Sequence, residues 1–159
     1  QAIEDIATMR VMANMKVFVP CDAIEAKKAT LAAAKLWGPI YLRFGREKTP
    51  AITTEETPYT PGKAEIFWRS KALKVAIIAC GPVLHNALLA AKELEKEKIG
   101  TIVINNHTVK PMDEKTILEV VRKCGAVVTV EEHPVTGGRG SAVAELLAKK
   151  CPMPMDCQA

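Results

Sequence analysis

Three short apolar runs, over residues 74–80, 101–105 and 126–130, limit the folds open to this chain more than any other feature. None alternates polar with apolar residues, so each reads as a strand covered on both faces. Each is followed by a helical pattern. Residues 83–98 put Val83, Leu84, Ala87, Leu88, Ala91 and Leu94 on one face. Residues 113–123 carry Ile117, Leu118 and Val121, and residues 137–149 carry Val143, Ala144, Leu146 and Leu147. Buried strands alternating with helices make a mainly parallel sheet between helical layers. The expected class is α/β, with a three-layer αβα arrangement, and residues 63–159 are long enough to stand as a small domain.

The front of the chain reads differently. Residues 1–46 give helix, strand, helix, strand, with strands expected over 16–20 and 39–44. Ile3, Ile6, Ala7 and Arg10 lie at helical spacing from the first residues onward. Asp22-Ala-Ile-Glu25 has the spacing of a capping box, and the alanine-rich run to Lys35 has strong helix propensity. Two strands and two helices bury too little surface to fold alone. The front unit therefore needs a partner layer, and the chain is expected to be a fragment or one piece of a split protein. Its tail, residues 151–159, has no closing helix, which points the same way. Between the units, residues 47–62 contain Pro50, Pro58, Pro61 and five threonines without periodicity, and read as a linker.

Composition removes several functions. The net charge of +4 is spread along the chain, as in Lys92-Glu93-Leu94-Glu95-Lys96-Glu97-Lys98. That run is a solvated helix face, and basic and aromatic residues do not interleave, so no nucleic-acid surface is expected. No apolar run approaches a membrane span and no signal peptide is read, so no membrane partner and a cytoplasmic location are expected. The five cysteines are irregularly spaced without a CxxC pair, which argues for reduced thiols rather than zinc or disulfides.

Ligands of open parallel sheets gather beyond the carboxyl ends of the strands. Arg46, just past the second strand, offers a planar fork that matches a phosphate. A surface arginine paired with a nearby acid is the alternative, and position alone favours it. Residues 137–141, Gly-Gly-Arg-Gly-Ser, read as a phosphate-cradling turn before a helix or, in preference, as glycines that let a helix pack closely. His133, beside Glu131 and Glu132, reads as a general base or, in preference, as a structural histidine. No cluster has metal-ligand spacing. The residues alone describe an α/β protein in two pieces, with one candidate anion-binding arginine and no complete catalytic constellation.

Several segments together carry a resemblance. Gln1-Ala-Ile-Glu-Asp-Ile-Ala-Thr-Met-Arg10, Val19-Pro-Cys-Asp22 and Leu42-Arg-Phe-Gly-Arg46 resemble the second half of the pyrimidine-binding domain of transketolases. Ile77-Ile-Ala-Cys-Gly81, Lys110-Pro-Met-Asp113 and Glu131-Glu-His-Pro-Val-Thr-Gly-Gly-Arg-Gly-Ser-Ala-Val-Ala-Glu145 resemble their C-terminal domain. The resemblance implies a truncated pyrimidine-binding part over 1–46, a linker over 47–62 and a transketolase C-terminal domain over 63–159. It implies ketol transfer between sugar phosphates with thiamine diphosphate and Mg2+, both held mainly outside this chain by an N-terminal subunit. It gives Arg46 the substrate phosphate and Gln1 a weak place beside the substrate. It places no catalytic, cofactor or metal ligand in this segment, and it implies homodimerisation through the C-terminal domain.

Two readings compete with it. One is an inactive assembly module, or one binding a nucleotide through residues 137–141. The other is a fragment of deoxyxylulose phosphate synthase or of a 2-oxoacid dehydrogenase beta subunit. In the synthase, Tyr-Pro usually stands where Phe44-Gly45 stand here.

Overall fold

In the computed structural model, which describes residues 3–159, the central apolar runs form a five-stranded sheet. Its members are β3 (Glu65–Arg69), β4 (Val75–Ala79), β5 (Thr101–Asn105), β7 (Ala126–Val130) and β8 (Met155–Gln158), in the order β3-β5-β4-β7-β8. The strands from β5 to β8 run parallel, and β3 is an antiparallel edge. Side chains alternate across the sheet. Ala76, Ile78, Ile102 and Ile104 face a core closed by Ile117, Leu118 and Val121 of α4 (Glu114–Val121) and by Val143, Leu146 and Leu147 of α5 (Arg139–Lys150). Ile77, Ala79 and Val103 face the other way, against Leu84, Ala87 and Ala91 of α3 (Leu84–Lys96). This is the expected three-layer α/β arrangement.

Two edges of that sheet went unread in the sequence. β3 mixes Glu65 and Arg69 with Ile66, Phe67 and Trp68, because an edge strand needs no apolar cover on both faces. β8 follows Pro152 and Pro154, which argue against a strand. Pairing begins after the second proline, whose carbonyl accepts the N–H of Val127 at 2.9 Å. At Gly100, just before β5, an added Cβ would lie 1.6 Å from the Ala72 carbonyl oxygen, so backbone fills the space of any side chain.

The front unit holds α1 (Asp5–Val11), β1 (Lys16–Phe18), α2 (Ala23–Ala33) and β2 (Ile40–Leu42). Its sheet has the order β2-β1-β6, in which β6 (Thr108–Lys110) comes from the far side of residue 63 and pairs antiparallel with β1. The N–H of Val19 donates to His107 at 2.7 Å, and that of Gly81 donates to Val19 at 3.1 Å. Between the units, Ile6, Val17, Val19, Cys80 and Val109 form a common core. Burial pushes the Cys80 thiol up to about 11, so it is a small protonated apolar residue there.

Residues 47–62 have no regular structure, yet they are tied to α2. The Asp22 carboxylate accepts from the N–H groups of Glu25 (2.9 Å), Ile52 (2.7 Å) and Thr53 (2.6 Å) and from the Thr53 hydroxyl (2.7 Å). Lys28 Nζ donates to the carbonyls of Thr54, Glu55 and Thr57. The capping box is present with one change: Glu25 reaches back to the N–H of Cys21, one residue before the cap, at 2.7 Å. The other Glu25 oxygen accepts from Asn105 Nδ2 of the second unit at 2.7 Å. Among the described residues, no helix is long and apolar enough to cross a membrane.

Candidate functional site

The ends of β2 and β7 and the start of α1 converge on one cleft of about 320 Å3, lined by Asp5, Tyr41, Leu42, Arg43, Phe44, Gly45, Arg46 and Glu132. Tyr41 and Arg43 share one face at the end of β2, as alternate residues must. Both reach Asp5 in the first turn of α1. Arg43 Nε donates to the Asp5 carboxylate at 2.9 Å, and the Tyr41 hydroxyl donates to it at 2.7 Å. Arg43 and Asp5 are both buried, at 9% and 8% exposure, so the pair is held in a poorly screened setting. Burial, and then the Asp5 carboxylate, push the Tyr41 phenol above its ordinary range, so it stays a neutral donor. Arg43 Nη1 also donates to Glu132 Oε2, at 3.3 Å, from beyond the end of β7.

Arg46 sits three residues past Arg43 on the lip of this cleft. It is exposed, and it forms no ion pair among the described residues. The alternative of an arginine paired with a neighbouring acid therefore describes Arg43, not Arg46. Gln1 lies outside the described residues.

The glycine-rich turn is not a phosphate cradle. The Glu131 carboxylate already accepts the N–H groups of Arg139 at 2.7 Å and Gly140 at 2.6 Å, which are the donors an incoming phosphate would need. Nucleotide binding through residues 137–141, one of the competing readings, is thereby corrected: an internal carboxylate fills that position. The glycines serve close packing. A Cβ on Gly138 would lie 2.6 and 2.7 Å from the Glu131 oxygens and 2.7 Å from His133 Nδ1. Gly138→Ala should therefore lower stability by about 1–3 kcal/mol, the usual cost of overpacking, read as a shift of the urea midpoint. An unchanged midpoint would mean that the turn has room to spare.

His133 is structural. Its Nε2 accepts the Ala7 N–H at 3.2 Å, so Nδ1 carries the proton and donates to the Pro134 carbonyl at 2.8 Å. Glu131 accepts from the start of α5 and Glu132 from Arg43, and neither hydrogen-bonds His133 among the described residues. His107 is buried and stacks on Tyr59, with ring centroids 4.2 Å apart, and burial depresses its pKa to about 4.

A second cavity of about 360 Å3 lies on the other side of Phe44 and Gly45, lined by residues such as Pro20, Ala23, Ala26, Lys48 and Pro82. It is larger but mostly apolar, and no guanidinium lines it, so the smaller cleft is the better anion site.

Sequence reasoning missed Asp5, Tyr41, Arg43 and Glu132. Arg43 stands within Leu42-Arg-Phe-Gly-Arg46, one of the segments that carry the resemblance. Its partners lie 38 and 89 residues away, and no local pattern signals them.

Comparison with known proteins matches two stretches of the chain. Residues 1–51 match the family described as transketolase, pyrimidine binding domain, and residues 62–157 match transketolase, C-terminal domain. A 6-deoxy-6-sulfo-D-fructose transketolase subunit of Clostridium sp. (strain MSTE9) is 40% identical over 154 residues, which are 97% of this chain and 47% of that protein. A solved split-gene transketolase, described as an inactive beta4 tetramer, superposes with a TM-score of 0.94 at 43% identity, over 99% of this chain and 52% of that one. Transketolase from Campylobacter jejuni superposes with a TM-score of 0.76 at 25% identity, over 99% of this chain and 23% of that one. The chain thus spans about half the length of the curated subunit it matches.

Proposed function

This chain belongs to the transketolase family, and on that premise we propose that it is the C-terminal half of a split transketolase. Joined to an N-terminal subunit, it transfers a two-carbon ketol unit from a ketose phosphate to an aldose phosphate. The names of the relatives, a transketolase subunit and a split-gene transketolase, support the division of labour. The family supplies thiamine diphosphate as the cofactor, with Mg2+ as its metal, and the cofactor provides the carbanion chemistry. The residues here do not fit either group. Among the described residues no three His, Cys, Asp or Glu side chains are placed to hold a metal ion. The glycine-rich helix start that could take a diphosphate is filled by Glu131. Both groups are therefore assigned to the partner subunit and to residues outside this chain.

What this chain contributes is a hold on the substrate. Arg46, free of internal partners among the described residues and set on the lip of a cleft, carries the reading: its fork accepts the phosphate end of the sugar and fixes the carbon chain relative to the cofactor. Gln1 is assigned the neighbouring part of the substrate. The assembly is proposed to be at least dimeric through the second unit, in the cytoplasm, in sugar-phosphate metabolism. The four-subunit assembly of the solved relative supports self-association.

The test is Arg46→Ala in the reconstituted two-subunit enzyme. Losing a charge-assisted contact should cost about 1.5–3 kcal/mol in kcat/KM for phosphorylated acceptors. Unphosphorylated aldoses should be unaffected. An equal loss for both kinds of substrate would remove Arg46 from the phosphate site.

A further inference from the structure

We propose that Arg43 is a second phosphate ligand, and that Glu132 is a displaceable internal counter-ion that occupies Arg43 while the cleft is empty. This deepens the reading of Arg46 and rests on it. The two ends of Arg43 are held unequally. Nε is locked by the buried Asp5 carboxylate at 2.9 Å, and Asp5 is itself fixed by the Tyr41 hydroxyl at 2.7 Å. The guanidinium plane is therefore set before any ligand arrives. Nη1 meets only a long contact of 3.3 Å to a carboxylate whose side chain is 54% exposed, on a loop of the other unit. An exposed acid of that kind loses little by swinging into water, whereas a buried one would lose much.

Charge points the same way. The cleft holds two acids, Asp5 and Glu132, and two arginines, Arg43 and Arg46. It is neutral with Glu132 in place and becomes cationic once Glu132 leaves. A phosphate that replaces Glu132 exchanges one anion for another on Nη1, and gains the Arg46 fork as well. Glu132 then sets selectivity. A neutral sugar cannot displace it, but a dianion can. The second unit acts on substrate choice through this one side chain, without touching the reacting carbons.

The sign of one substitution decides the matter. Glu132→Gln keeps the size and removes the competing charge, at an exposed position where folding is not at stake. Inorganic phosphate is titrated into the full chain at constant ionic strength, with chloride as the control, and the arginine Nε–H resonances are followed by NMR. Glu132→Gln should tighten phosphate binding about three- to tenfold, the range for removing one like charge from a half-exposed site. Arg43→Lys keeps a cation for Asp5 but withdraws Nη1, so the gain should vanish in the Glu132→Gln/Arg43→Lys double variant.

If Glu132→Gln binds phosphate no better than the parent, or less well, Glu132 is a structural tether and the proposal falls. If Arg46→Ala abolishes binding while Glu132→Gln changes nothing, the Arg46 reading stands and this inference alone fails. If Arg46→Ala leaves phosphate binding unchanged while Glu132→Gln still tightens it, Arg43 is the phosphate ligand and the assignment of Arg46 is the part that fails. If neither the parent nor Glu132→Gln binds phosphate, both are overturned.

Discussion

Asp5→Ala should cost the fold about 3–5 kcal/mol, the loss seen when one partner of a buried ion pair is removed and the other is left uncompensated. Arg43 would remain at the base of the cleft with only the half-exposed Glu132 beside it. The Tyr41 hydroxyl would lose its acceptor as well. Urea unfolding read by circular dichroism measures the effect as a lowered midpoint at constant slope. Two controls separate charge from packing. Tyr41→Phe removes a single hydrogen bond and should cost about 1 kcal/mol. The double variant Asp5→Ala/Arg43→Met removes both charges, keeps most of the apolar stem and should recover most of the loss. If Asp5→Ala unfolds at the same urea concentration as the parent, the pair contributes nothing, and Arg43 is not pre-set by Asp5.

Asp22→Ala should be nearly as damaging, at about 3–5 kcal/mol, because one carboxylate serves two elements. It caps α2 through the Glu25 N–H, worth about 1 kcal/mol. It also anchors residues 52 and 53, whose N–H groups would be left without partners at about 1–2 kcal/mol each. The pH dependence carries the same signature. Burial alone would raise the Asp22 pKa, but hydrogen bonds from Glu25, Thr53 and Ile52 outweigh it and hold the carboxyl below its usual range. A depressed folded pKa stabilises above the unfolded value of about 3.9 and loses that stabilisation as pH falls through the folded value. Glu25 works in the opposite sense, since burial raises its pKa and its charge is a cost that acid relieves. The parent should therefore lose stability below about pH 4 through Asp22, and Asp22→Ala should show a flatter profile there. Identical acid profiles for the two proteins would remove Asp22 from the account.

How far the sequence could be read depended on the range of each interaction. The central strands, the helices and the Asp22 cap are set within a few neighbouring residues, where apolar period and hydrogen-bonding side chains act directly. β3, β6 and β8 were unread because each is partly polar and stable only through a neighbour far away in the chain. β6 joins the front sheet from the middle of the second unit, so a division of the chain at its proline-rich segment does not divide its hydrogen bonds. Residues 47–62 look unstructured by composition, and periodicity gives no hint that Asp22 and Lys28 hold them.

The site divides along the same line. Arg46 could be named as a candidate because a guanidinium beyond a strand's end in a parallel sheet is a local pattern, although position alone favoured an arginine paired with a nearby acid. For the glycine-rich turn the preferred sequence reading, close packing, agrees with the structure, but the anion that fills the turn, Glu131, could not be read because it reaches the turn only once β7 and α5 are packed.

From its own amino acids, then, the chain specified alternating buried strands and amphipathic helices and the cap on α2, since hydrophobic period and backbone capping are properties of adjacent residues. Only folding determined that Asp5, Tyr41, Arg43 and Glu132 share one cleft, and that the two units share a sheet. Those contacts join residues as distant in the chain as Arg43 and Glu132 or Val17 and Lys110, and their energies depend on burial and distance, which do not exist until the chain has closed on itself.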